Sequence, residues 1–190
     1  MQNITIYTEA NPNPASMKFM LNFMLIENGE SKDFPTPESA ASSPLAQELF
    51  EYDFVTRVFY MSSFITVTKS EDKDWPEIIP ILKKHIKEYF EAEKPVFTEA
   101  QPEVIVEANN DSEAVKKIKG ILDEYIKPAV EMDGGAIQFH SYDEITGVLK
   151  VHLQGSCSGC PSSTVTLKAG IQNLVQRMVP SVTEVIAEGV

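Results

Sequence analysis

The feature that most constrains how this chain can fold is a stretch that resists regular structure. Across residues 91–113 the side chains of Glu91, Glu93, Glu99, Glu103, Glu107, Asp111 and Glu113 face a single base, Lys94, and Pro95 and Pro102 interrupt the backbone. Like charges repel and proline removes a backbone donor, so such a segment is expected to stay extended and solvated as a tether. Hydrophobic periodicity is strong on both sides of it. A chain of 190 residues is thereby divided into two parts, each long enough to bury a core of its own. The expected fold class is α+β, with two small domains, each a short β-sheet packed with helices, joined by an acidic linker. The first domain spans residues 1–90, the linker 91–110 and the second domain 111–190.

In the first part, Ile4, Ile6 and Thr8 alternate with polar neighbours, and residues 18–26 read as a second strand after the turn at Asn11-Pro12-Asn13-Pro14. Residues 29–43 are polar, carry Pro35 and Pro37, and read as loop. Ser43-Pro44 then opens a short helix, serine as N-cap and proline in the first turn. Two strands follow at 55–60 and 64–69, with Met61-Ser62-Ser63 as a hairpin turn. Asp74-Trp75-Pro76-Glu77 has the pattern of a capping box, beginning a helix to about residue 90 whose inner positions are Ile78, Ile81, Leu82, His85, Ile86 and Tyr89. Trp75, Phe54, Phe59 and Phe64 read as core, and no catalytic constellation stands out.

The second part begins with a helix capped by Asp111 or Ser112, with Val115, Ile118, Ile121, Leu122, Tyr125, Ala129 and Met132 as its inner stripe. Asp133-Gly134-Gly135 stops it. A hairpin follows at 136–142 and 148–153, then a helix from Pro161 to about residue 179, with Val165, Leu167, Ile171, Leu174, Val175 and Met178 on or near its inner face. A short strand around Val182, Val185 and Ile186 ends the chain.

Chemistry concentrates in Gly155-Ser156-Cys157-Ser158-Gly159-Cys160-Pro161, which holds the only two cysteines. A pair three positions apart closes too small a ring to staple a fold, so it reads as metal-binding or redox-active in a reducing compartment. Proline at the first helical position makes Cys160 the N-cap, so free N–H groups and the positive end of the helix dipole favour the thiolate. Four readings stay open on the residues alone: buried structural thiols, a dithiol/disulfide oxidoreductase, a zinc module, and an iron–sulfur site. Zinc and iron–sulfur clusters want about four ligands, whereas one chain offers two thiolates and no second cysteine pair. Two copies about a two-fold axis would supply four. His152 alternates with Val151 and Leu153 and reads as a solvated strand residue; His140 and His85 have weaker claims as ligands, and Asp133 belongs to the turn.

The residues also carry a family resemblance. Leu122-Asp-Glu-Tyr-Ile-Lys-Pro-Ala-Val, Asp133-Gly134-Gly135, Gly155-Ser-Cys-Ser-Gly-Cys-Pro-Ser-Ser163 and Thr166-Leu-Lys-Ala-Gly-Ile171 closely resemble the C-terminal domain of NifU, the Nfu-type module. Asn11-Pro-Asn-Pro14 with Met17-Lys18-Phe19, Ser43-Pro-Leu-Ala46, Phe64-Ile-Thr-Val-Thr-Lys69 and Trp75 resemble the Nfu N-terminal domain. The resemblance implies a carrier or scaffold, not an enzyme, that holds a 4Fe-4S cluster between two subunits. Cys157 and Cys160 fall on its ligand positions. It further implies a homodimer when cluster-bound, apo iron–sulfur proteins as acceptors and cluster-assembly factors as donors. Two departures from its pattern are Ala136, where relatives often have an acidic residue after Gly-Gly, and Met132 before the Asp-Gly-Gly turn; neither touches the thiols.

A formal net charge of −12 argues against nucleic acid and anionic membranes as partners, because both repel acidic proteins. The residues from Met1 to Tyr7 have neither a basic region followed by an apolar run nor an Arg-rich amphipathic pattern, and the longest apolar run is too short to span a bilayer. A cytoplasmic location is the resulting expectation.

Overall fold

The computed structural model describes residues 3–27, 29–98, 111–158 and 161–189. The chain forms two compact units, Met1–Glu103 and Val104–Val190. Among the described residues the first unit contains β1 (Ile6–Ala10), β2 (Ser16–Leu21), β3 (Ser31–Phe34), a 3-10 turn (Pro37–Ser42), α1 (Pro44–Phe50), β4 (Val55–Met61), β5 (Phe64–Lys69) and α2 (Trp75–Glu91). The strands form an antiparallel sheet in the order β1-β2-β5-β4-β3. One face of it, with Phe19, Leu21, Val58, Tyr60, Ile65 and Val67, packs with Leu45, Leu49, Leu82 and Ile86 of the helices. The β4–β5 turn falls at Ser62 and Ser63, where Ser62 takes a φ of 48°.

Several details differ from the sequence reading, among them the second strand, which ends at Leu21 rather than running to residue 26. Residues 29–43 are not all loop: β3 pairs with β4 in the register Ser31↔Met61 to Phe34↔Val58. This edge strand is polar except for buried Phe34, and Arg57 Nε donates to Asp33 Oδ1 at 2.9 Å from the neighbouring strand. Asp74 does sit at the N-cap of α2, but its side chain makes no cap hydrogen bond. The helix entry is tied by Trp75, whose Nε1–H donates to the Pro14 carbonyl at 2.8 Å. Along α2, Ile78, Leu82, Ile86 and Tyr89 are buried while Ile81 is exposed.

The acidic segment also begins differently. Ser43 Oγ–H donates to the Val96 carbonyl at 2.8 Å, Thr98 N–H to the Ser42 carbonyl at 3.0 Å, and Tyr89 O–H to the Pro95 carbonyl at 2.6 Å. Lys94 Nζ reaches Glu48 Oε1 at 2.8 Å, and Val96 and Phe97 pack against the first core. The two apolar residues and the single base outweigh the local carboxylates, so the chain up to Thr98 is strapped to the first unit. Residues 99–110 lie outside the described residues.

The second unit contains α3 (Glu113–Ile121), a π-turn (Leu122–Ile126), α4 (Lys127–Met132), β6 (Gly135–Asp143), β7 (Val148–Gly155), α5 (Pro161–Met178) and β8 (Glu184–Gly189). Ser112 caps α3, its side chain accepting from Val115 N–H. The sheet order is β6-β7-β8; β6 and β7 form an antiparallel hairpin, and α5 is the crossover that returns β8 parallel to β7. The core joins Ile118, Leu122, Ile126 and Val130 to Ile137, Leu149, Val151 and Leu153 of the sheet and to Ile171 and Val175 of α5.

The expected inner stripe fails at Tyr125, Ala129 and Met132, all exposed, Tyr125 to 48% and Met132 to 76%. The π-turn is the reason. In an ideal α-helix, residues four apart advance about 40° around the axis, so a row of such steps drifts off one face. The wider turn, with Lys127 N–H bonded to the Leu122 carbonyl five residues back, cancels the drift. Ile118, Leu122, Ile126 and Val130 then face the sheet together, and Tyr125 and Met132 turn outward. Val165, expected on the inner face of α5, is 70% exposed, while Ile171 and Val175 are buried as expected.

Candidate metal centre

The cysteine loop leaves the end of β7 where that strand meets the start of β6. Gly135 and Gly155 are partners in the hairpin register. Gly155 takes a φ of 65°, which an L side chain would strain, and so turns the chain out of the sheet. Ser158 N–H donates to the Gly155 carbonyl at 3.2 Å and Ser156 N–H to the Gly134 carbonyl at 3.3 Å. Ser156 Oγ–H donates to the Asp133 carbonyl. The Asp133-Gly134-Gly135 turn and the cysteine loop are therefore built against each other.

Cys157 is buried and packed within the second core, with Sγ 3.9 Å from Ser156 Oγ. Gly159 and Cys160 lie outside the described residues, and with them the expected N-cap role of Cys160. α5 begins at the next residue, Pro161. Thiolate sulfur suits zinc, copper(I) and iron–sulfur clusters, so the loop's donors fit a soft metal. Among the described residues no group of three or more His, Cys, Asp or Glu converges to hold a metal ion.

The histidines find other partners. His152 is not simply solvated: its ring stacks on His140 with centroids 4.3 Å apart and planes 19° from parallel, and its Nε2 lies 3.9 Å from Glu188 Oε2. Rings stacked face to face do not aim their nitrogens at one point. His85 is taken up in the first unit, with Nδ1 3.0 Å from Tyr52 Oη and Nε2 3.3 Å from Glu48 Oε2. Asp133 serves the turn through its carbonyl, as its position in the turn implied. Sequence reasoning gave no part to Ser156, or to Gly135 beside the thiol. The signal available was the register of two short glycine motifs, one at each end of a hairpin.

These features define a class first: a two-unit α+β protein whose second unit presents a C-x-x-C loop between a strand and a helix. Comparison with known proteins carries it further. The family model for the scaffold protein Nfu/NifU N terminal matches residues 6–93, and that for the NifU-like domain matches residues 118–186. NifU-like protein 5, mitochondrial, of Arabidopsis thaliana is 42% identical over 186 residues, covering 96% of this chain and 67% of the relative. NFU1 iron-sulfur cluster scaffold homolog, mitochondrial, of Drosophila persimilis is 42% identical over 185 residues, covering 97% and 65%. The chain belongs to the Nfu/NifU family. It spans about two thirds of the length of these relatives. A solution structure of a NifU-like protein from Saccharomyces cerevisiae superposes with a TM-score of 0.47 at 20% identity, covering 53% of this chain and 92% of that one.

One expectation is corrected here. A cytoplasmic location was expected from composition and the first residues, but the relatives are named mitochondrial. Net charge and core composition are set by solubility and folding, which both compartments require alike, so they do not carry an address. Among the described residues no helix is long and apolar enough to cross a membrane.

Proposed function

We propose that this chain is a carrier in iron–sulfur cluster assembly, holding a 4Fe-4S cluster between two copies of itself and delivering it to apo-proteins. The observation that carries the reading is the match, over 97% of the chain, to a relative named an iron–sulfur cluster scaffold homolog. Ligand arithmetic supports it. Each copy contributes Cys157 and Cys160, and a homodimer completes the four thiolates a cubane cluster takes. A site whose ligand set is split between chains suits transfer, because an acceptor's thiolates can replace the carrier's one at a time. Cluster-assembly factors load it, apo iron–sulfur proteins unload it, and neither nucleic acid nor membrane takes part. Residues 111–190 hold the cluster, 1–90 supply no ligand, and 99–110, beyond the strap that ends at Thr98, connect the two. The compartment that goes with these relatives is the mitochondrion.

The experiment is anaerobic reconstitution of the full chain with iron and sulfide, followed by visible absorbance and iron and sulfide analysis. The unaltered chain acquires the cluster; Cys157→Ala and Cys160→Ala each abolish it. Full iron and sulfide in either variant overturns the ligand assignment. Colourless zinc binding, or thiol–disulfide exchange without iron, in the unaltered chain overturns the carrier reading itself.

A further inference from the structure

In the second unit β7 runs between β6 and β8, and successive residues of the loop that leaves it come down on opposite neighbours. Cys157 lands on Gly135, the first residue of β6: a Cβ there would lie 2.9 Å from Cys157 Sγ, 3.3 Å from Cys157 Cβ and 2.5 Å from the Gln154 carbonyl oxygen. Ser158 lands on Gly189, the last residue of β8, where a Cβ would lie 2.6 Å from Ser158 Oγ. Carbon contacts are most favourable at about 3.5–4.0 Å, so neither site has room for a side chain. The two are not equivalent. Ser158 Oγ can rotate away, whereas Gly135 is closed in by backbone as well as by the thiol. Gly135 is also absent from the glycines of positive φ, which include its neighbours Gly134 and Gly155. What position 135 requires is space, not an unusual backbone angle.

We propose that Gly135 is the seat of the Cys157 thiol, a positioning residue that keeps Cys157 sheltered in the cluster-free chain. Sγ stands against the position a side chain at 135 would occupy, and Cys157 is only 6% exposed, within the same core as Ile137 and Leu153. A seated thiol is shielded from solvent, and alkylation or oxidation requires it to emerge. A ligand to a cluster shared with a second chain must emerge too. Leaving the seat is then the conformational step that separates the empty loop from the ligating one. That last consequence rests on the carrier reading; the seat stands on the geometry of the empty chain.

The test uses the reduced, cluster-free full chain and peptide-resolved mass spectrometry of iodoacetamide alkylation. In the unaltered chain Cys157 is modified at least about tenfold more slowly than in the urea-unfolded chain, as a buried site that must open locally. Gly135→Ala raises the native rate by about tenfold or more, the scale of overpacking a filled site. Gly120→Ala, where nothing lies within 4 Å of the added Cβ, leaves it unchanged. Gly135→Ala also lowers Tm less in a Cys157→Ala background than alone, the share due to the Gln154 carbonyl being common to both. An unchanged alkylation rate with the same loss of Tm in both backgrounds overturns the seat. Should Gly135→Ala fail to fold, recovery of folding in the double variant supports the seat, and failure of both alike overturns it. A chain that seats the thiol but takes up no iron and sulfide overturns the carrier reading alone; one that takes up cluster with an unseated thiol overturns the seat alone.

Discussion

Replacing Ser43 with alanine tests whether the start of the acidic segment is part of the first unit. Ser43 is fully buried, and its one hydroxyl serves three elements. It accepts from Ala46 N–H at 3.3 Å as the cap of α1, donates to the Val96 carbonyl at 2.8 Å, and lies 3.3 Å from the Tyr60 hydroxyl. With its single proton given to Val96, the Tyr60 hydroxyl is the donor in the last pair. Burial raises the Tyr60 pKa far above its ordinary value and keeps that proton on. Alanine removes the cap, at about 1 kcal/mol, and strands a part-buried carbonyl, at about 1–3 kcal/mol. The sum is about 2–4 kcal/mol, and a domain of this size loses about 4–8 °C of Tm per kcal/mol. The assay is urea unfolding followed by fluorescence of the chain's one tryptophan, Trp75, which lies in α2 and so reports on the first unit. Amide exchange at Thr98, bonded to the Ser42 carbonyl, should accelerate in parallel. A loss below about 0.5 kcal/mol, the range of neutral surface changes, would refute the strap.

Two further expectations concern the second unit. Deleting Glu124, exposed in the π-turn, converts it to an ordinary helical turn and keeps Ile118, Leu122 and Val130 inward, so the variant folds; deleting Gly120 from α3 turns Ile118 by about 100° relative to Leu122, off the core face, and unfolds the unit, as circular dichroism will read. Equal tolerance of both deletions would contradict the account of the phase shift. Asp143 accepts from Ile145 N–H at 2.8 Å and Thr146 N–H at 3.3 Å in the β6–β7 turn, and these bonds, that to Ile145 foremost, hold its pKa below the ordinary value. Because the folded pKa is the lower one, the turn's stabilisation is complete above the unfolded value of about 3.9 and is lost as pH falls through the folded value. A carboxyl carbon-13 titration of Asp143 should therefore have its midpoint below that of an unfolded aspartate, and an equal or higher midpoint would remove the turn's role.

The two-unit α+β architecture is legible because apolar spacing is a one-dimensional record of which face meets the core. Ile78, Leu82, Ile86 and Tyr89 of α2 and Ile171 and Val175 of α5 are read correctly on that basis. What escapes is set by contacts distant in sequence. β3 carries one buried residue, Phe34, and owes its strand to pairing with β4 and to Arg57 reaching Asp33. Local charge predicted an extended tether from residue 91, yet the packing of Val96 and Phe97 prevails as far as Thr98. The π-turn has no signature in a 3.6-residue period and shows only as a row of four-residue steps. At the candidate centre, the two cysteines announce soft-metal or thiol chemistry by themselves. That Gly135 makes room for Cys157 depends on the hairpin register, which places position 135 opposite 155.

The carrier role turns on whether one cluster is completed by two chains. Native mass spectrometry of the anaerobically reconstituted full chain, with Mössbauer spectra of the same sample, measures that directly. The account predicts a species of two chains with four irons and four sulfides, giving a single 4Fe-4S spectrum, and its dissociation when the cluster is lost. A cluster retained by a single chain, or one cluster for every chain in the dimer, would contradict it.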